Sequence, residues 1–168
     1  MNVYLFGFMG TGKSTVGRLA AKEMGLDFVD MDKLIEEREG MSIKDIFQEK
    51  GEPFFRKLET ELIKELVQRE NILAATGGGV IKNQENVDLM QQSGCCICLN
   101  AAQEVILQRV SHSKNRPLLL GEDLMKQIQD LLNQRKALYA KIDHQVDTSV
   151  LSIQEVVQHV IALQSQHS

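Results

Sequence analysis

The chain has 168 residues, 43% hydrophobic and 25% charged, which suits one domain with a sizeable core and no need of disulfide or metal staples. The formal charge of −4 argues against a nucleic-acid partner, which would draw on a clustered excess of Lys and Arg, and no apolar run approaches the roughly 20 residues of a membrane span. Without a repeat, a linker-like stretch or a signal-peptide pattern at its start, it is expected to be a single cytoplasmic domain, monomeric, with small-molecule partners.

Residues 3–6, VYLF, form a short apolar run that stops at Gly7, and a helical pattern runs from Gly12 to about Gly25. Between them, Gly7-Phe8-Met9-Gly10-Thr11-Gly12-Lys13-Ser14 fits the phosphate-loop spacing GxxxxGK[ST] in the strand–loop–helix setting that this chemistry requires. The glycines let backbone N–H groups turn towards phosphate oxygens, the helix start adds its positive end, Lys13 offsets β/γ charge, and the Ser14 hydroxyl suits Mg²⁺. A Gly-rich turn with a surface lysine is the alternative, which the flanking strand and helix disfavour.

A second apolar run, LDFV, leads into Asp30-Met31-Asp32. Alternation along a strand directs both carboxylates the same way, at the strand end where open α/β sheets bind ligands. One carboxylate is suited to Mg²⁺ through water and the other to substrate hydroxyls, unless Asp32 simply caps a helix beginning at Lys33. Pro53 suits the first turn of a helix through Leu58, Leu62, Ile63 and Leu66, in which Glu59 interrupts the apolar series and Arg56 lies one turn earlier.

The third run, ILAAT, closes on Thr76-Gly77-Gly78-Gly79. Three glycines there either admit a ligand close to the backbone or form a plain turn. The fourth run, CCICL, holds all three cysteines; they read as small core residues, with none of the four histidines placed to complete a metal site. Asn100 and Gln103 have capping-box spacing, as do Ser152 and Glu155. The stretch between Arg109 and Asp123 reads as a long loop, of the kind that forms lids, and carries Arg116-Pro117. The helix over 124–142 has Arg135 within its apolar stripe, so this arginine needs either a structural carboxylate or an anionic ligand; with Arg56 it could clamp a carboxylate. The weaker run HQVDT gives a fifth strand, and five strands with helical crossovers predict an α/β fold with a parallel sheet covered on both faces.

The strings DxxG and NKxD, which a switch GTPase needs, do not occur, which leaves a small-molecule kinase as the economical reading. GFMGTGKST, the DMD segment, FFRKLE, TGGGV, NRPLL and QRKALY, in that order, closely resemble shikimate kinases over nearly the whole chain. The resemblance implies a three-layer αβα, nucleoside-monophosphate-kinase-like P-loop fold with its five strands in the order 2-3-1-4-5. It also implies a substrate-binding segment at about 33–60 and a lid at about 110–124.

The same resemblance puts ATP on Gly10, Thr11, Gly12, Lys13, Ser14 and Thr15, with Arg109 against adenine and Arg116 as the lid arginine, and Mg²⁺ on Ser14 with Asp30. It puts shikimate on Asp32, Arg56, Glu59, Gly77, Gly78, Gly79 and Arg135. It implies that Asp32 orients the 3-hydroxyl and can accept its proton, while Lys13, Mg²⁺ and Arg116 offset charge on the γ-phosphoryl group. Thr148-Ser149-Val150 lack the Asn-Arg-x-Pro adenine loop of some members, so no base contact is read there. A gluconate-type or nucleotide kinase of the same architecture, or a non-catalytic nucleotide-binding regulator, are the competing readings; FFRKLE, TGGG and QRKALY disfavour the former and intact Lys13, Ser14, Asp30 and Asp32 the latter.

Overall fold

The computed structural model describes residues 1–111 and 124–167. Five strands, β1 (Asn2–Phe6), β2 (Asp27–Asp30), β3 (Ile72–Ala75), β4 (Gly94–Asn100) and β5 (His144–Asp147), pair in parallel in the order β2-β3-β1-β4-β5. The expected strand order therefore stands, as does the three-layer arrangement. Alternation along the central strands divides the core in two. Val3, Leu5, Leu73, Cys95, Ile97 and Leu99 pack with α1 (Lys13–Met24) and the final helix α8 (Ile153–His167). Tyr4, Phe6, Ala74, Cys96 and Cys98 face the other helices. These are α2 (Met31–Glu39), α3 (Ile43–Lys50), α4 (Glu52–Leu66), α5 (Gln84–Ser93), α6 (Gln103–Ser111) and α7 (Leu124–Tyr139). All three cysteines are buried and free, as small core residues of β4.

Local chemistry fixes several helix ends. Gly25, at φ 68°, ends α1 in the left-handed conformation that costs glycine least. Ser42 caps α3 through the Asp45 amide, and Ser152 and Glu155 exchange reciprocal bonds at the start of α8, as their spacing predicts. The expected capping box at Asn100 does not form. There α6 starts with the Ala102 carbonyl accepting from the Ile106 amide, while the Asn100 side chain, still on β4, donates to Gln145 on β5. The sheet extends one residue further than the apolar run, and so engages the amide before the helix can use it.

Candidate active site

The phosphate loop crosses from β1 to α1 with Gly7, Gly10 and Gly12 at positive φ (146°, 77° and 90°), conformations that side chains would strain. Thr11 Oγ1 donates to the Phe8 carbonyl at 2.7 Å, and Lys13 Nζ donates to the Gly7 and Phe8 carbonyls at 2.6 and 3.0 Å. The loop is thereby closed on itself with its lysine folded over it. Ser14 and Thr15 follow in the first turn of α1, where Ser14 Oγ donates to Asp30 Oδ2 at 2.7 Å. Two hard oxygen donors thus stand side by side, a donor set suited to Mg²⁺.

Asp30 and Asp32 reach this region differently from the strand alternation expected for them. β2 ends at Asp30, whose other oxygen accepts from the Lys33 amide at 3.2 Å, making Asp30 the N-cap of a helix that starts at Met31. Asp32 stands in the first turn of that helix, past its N-cap. The cap acts two residues earlier than the alternative reading supposed, because Asp30 is the last residue with extended backbone (φ −95°, ψ 109°) and therefore the one whose side chain can reach the free amides.

The three glycines after β3 bring the remaining charged residues together. A Cβ on Gly77 would stand 2.7 Å from Asp32 Oδ1 and 2.9 Å from Glu59 Oε2. One on Gly78 would stand 3.3 Å from Arg135 Nη1 and 4.0 Å from the Gly7 carbonyl of the phosphate loop, and one on Gly79 would overlap the Arg56 guanidinium. Any side chain along Gly77–Gly79 would fill the space these groups share. The same contacts put Asp32, Arg56, Glu59 and Arg135 around one short segment that abuts the loop held by Lys13.

The two arginines are held differently. Arg56 Nη1 donates to Glu59 Oε1 at 2.7 Å, its Nε and Nη2 reach Glu52, and its guanidinium lies over Phe55 at 5.4 Å. Burial works against its charge, but Glu59 and Glu52 more than compensate, so the guanidinium is held above its ordinary value. Arg135 is only 7% exposed and lies 5.9 Å over the Phe8 ring, yet among the described residues no carboxylate comes within ion-pair distance of it. Tyr139, one turn later, donates to the Gly78 carbonyl at 2.5 Å. Tyr139 is buried, and its hydroxyl ties α7 to the triglycine segment, a role that only a buried polar tip seeking a partner could suggest from the chain.

Glu59 is 1% exposed, and its Oε2 has no hydrogen-bond partner among the described residues. Burial, opposed by Arg56 and reinforced by Asp32, pushes its carboxyl up to about 7. Glu59 and Arg56 thus both lie above their ordinary values, whereas a pair governed by attraction alone would lower the acid. For Glu59 the loss of water outweighs the arginine.

On the nucleotide side, Arg109 donates to the Gly10 carbonyl at 2.9 Å and to Thr148 Oγ1 and O at 3.1 and 3.0 Å. The buried Thr148, just past β5, also donates to the Thr11 and Asn100 carbonyls. The segment for which no base contact could be read is therefore fastened to the phosphate loop. Arg116 and residues 112–123 of the expected lid lie outside the described residues.

Known proteins place the chain in a family. The family model for shikimate kinase matches residues 9–164. The shikimate kinase of Thermodesulfovibrio yellowstonii is 44% identical over 160 residues, covering 95% of this chain and 92% of its own length. The solved structure of shikimate kinase from Acinetobacter baumannii in complex with shikimate superposes with a TM-score of 0.93 at 37% identity, covering 99% of this chain and 94% of that one. A gluconokinase from Sinorhizobium meliloti, at TM-score 0.62 and 16% identity, shares the fold alone. With the phosphate loop, the parallel sheet order and the charged cluster at the triglycine all in place, the chain belongs to the shikimate kinase family.

Proposed function

We infer that this member of the family transfers the γ-phosphoryl group of ATP to the 3-hydroxyl of shikimate, giving shikimate 3-phosphate and ADP on the route to chorismate and the aromatic amino acids. One observation carries the reading of its acceptor side: Arg135 is buried beside Gly78 with no carboxylate at ion-pair distance among the described residues, one glycine along from the position that Asp32 approaches and across from the phosphate loop. A buried guanidinium is costly unless an anion meets it, and a substrate carboxylate supplies one. Arg56, held in place by Glu59 and Glu52, gives that carboxylate a second cationic partner.

In this reading the backbone amides from Gly10 to Thr15 hold the triphosphate, and Lys13 moves from the loop carbonyls to the β- and γ-phosphates. Asp32 orients the 3-hydroxyl and takes its proton as the oxygen bonds to the γ-phosphorus and the bond from that phosphorus to the β–γ bridging oxygen breaks. Ser14 and Asp30 would hold Mg²⁺, which when bound offsets phosphate charge. Arg109 fixes the wall against which adenine stacks, and Arg116 supplies further charge to the transferring group. Gly77, Gly78 and Gly79 keep the space between the two substrates open. Small-molecule substrates and an acidic net charge fit a monomeric enzyme of the cytoplasm. No helix among the described residues is long and apolar enough to cross a membrane.

The test is ADP release with Mg²⁺-ATP and, in separate reactions, shikimate, quinate, gluconate and nucleoside monophosphates. Turnover confined to shikimate is expected. Comparable turnover with gluconate or a nucleotide, or none with shikimate, would overturn the assignment.

A further inference from the structure

At the end of the sheet remote from the phosphate loop, β4 and β5 begin. His144 pairs with Ile97, so its side chain shares a face with Ile97 and with Cys95 two residues earlier, the face that α8 covers. The helix runs back from the far end of β5 and brings His167 to the same place. The Cys95 Sγ and one ring nitrogen from each histidine all lie within 4.8 Å of one another. The two imidazoles stand edge to face, centroids 5.9 Å apart. None of the three side chains has a hydrogen-bond or ion-pair partner among the described residues. Aromatic packing accounts for the ring pair; it does not account for a thiol within 4.8 Å of a nitrogen of each ring.

We propose that Cys95, His144 and His167 form a binding site for a borderline-soft divalent cation, Zn²⁺ foremost. One thiolate and two neutral imidazoles are a donor set that zinc accepts from three protein ligands, with a fourth position left open. A cavity lined by Gln91, Gly94, Cys96, Asp143, His144 and His167 opens beside the cluster and gives an entry path from the histidine side, while Cys95 itself lies fully buried. Bonds of roughly 2.0–2.3 Å draw tetrahedral ligand atoms to roughly 3.5 Å apart, a closure that a rotamer change at His167 on the exposed end of α8 can provide. Cys95 binds the ion as a thiolate, giving up its thiol proton. As the S–Zn bond forms that proton passes to solvent, while the histidines bind as neutral rings. The ion joins β4, β5 and α8 and lies away from both substrates, so its effect falls on stability and not on turnover. Residues 95, 144 and 167 have no ligand spacing along the chain, so only the fold brings them together.

The experiment uses tag-free, chelator-stripped full-length protein titrated with Co²⁺ and then Zn²⁺. One equivalent of cobalt with a near-ultraviolet thiolate-to-metal band, displaced by zinc, is expected, together with a zinc-dependent rise in melting temperature. Cys95→Ser should abolish the band. His167→Gln, at an exposed position that folding tolerates, should weaken zinc binding by more than the roughly tenfold to hundredfold that loss of an outer-shell partner costs, and remove the thermal shift, with turnover unchanged. Cobalt held at Ser14 and Asp30 has no sulfur ligand and gives no such band. A spectrum without it in the parent protein, or zinc affinity unaltered in His167→Gln, would overturn the proposal, and His167→Gln decides the matter even if Cys95→Ser does not fold.

Discussion

Residues 7–15 reach the cleft as one uninterrupted stretch, whereas the groups facing them come from four places: Asp32 on α2, Arg56 and Glu59 on α4, the glycines after β3, and Arg135 on α7. The first region works through backbone amides and is braced locally, by Thr11 on Phe8 and Lys13 on Gly7. The second works through charged side chains withdrawn from water, which are stable only while their neighbours stay in place. On the proposed reading, a backbone nest serves any triphosphate and the side-chain cluster decides what receives the phosphoryl group. Substitutions in the second region should therefore separate acceptor binding from ATP binding.

The largest expected effect is that of Asp32→Asn, which keeps the shape of the side chain and removes its capacity to take a proton. Turnover should fall by about a hundredfold to ten-thousandfold, with the ATP dissociation constant little changed by calorimetry. Retention of near-parental turnover would take Asp32 out of the chemistry and leave the cluster a binding device only. Arg135→Ala comes next. Loss of one charge-assisted contact, about 1.5–3 kcal/mol, should raise KM for shikimate by about tenfold to 150-fold and leave KM for ATP nearly unaltered. The reverse pattern in steady-state kinetics would erase the division between the two regions.

Glu59→Gln should affect turnover least and shows instead what the buried charge costs. The carboxyl sits at about 7 in the folded chain against an ordinary 4.5, so the native state binds the proton more tightly than the unfolded one. Its stabilising contribution is complete below 4.5 and is lost as pH rises through about 7. Urea midpoints measured on either side of that window should decline for the parent and hold steadier for Glu59→Gln, the two profiles diverging by about 3 kcal/mol at most. A parent more stable above the window than below it, with Glu59→Gln flat, would mean that Arg56 and not burial governs this carboxyl.

The same contrast explains what could be read from the chain. The phosphate loop was legible residue by residue because its function needs fixed spacing within one turn of chain, and the five strands were legible because parallel strands buried on both faces are short, continuous apolar runs. Asp32 and Arg135 were conspicuous as charges interrupting apolar patterns. Which elements they belong to was less clear: the start of α2 depends on where β2 stops pairing with β3, and no window around residues 30–32 contains that information. Asn100 was misread for the same reason, since its partner Gln145 lies 45 residues away.

By itself, then, the order of residues determined the phosphate cradle, the alternation of strands and helices, and the need of two arginines for anions, because these rest on local geometry and on the cost of burying charge. Tertiary structure alone decided that Glu59 loses so much water that its proton stays on near neutrality, that Tyr139 bonds the Gly78 carbonyl, and that Cys95 meets two histidines about fifty and seventy residues further on. Each of those outcomes depends on how closely distant segments approach, and that distance is set by the packing of helices on the sheet.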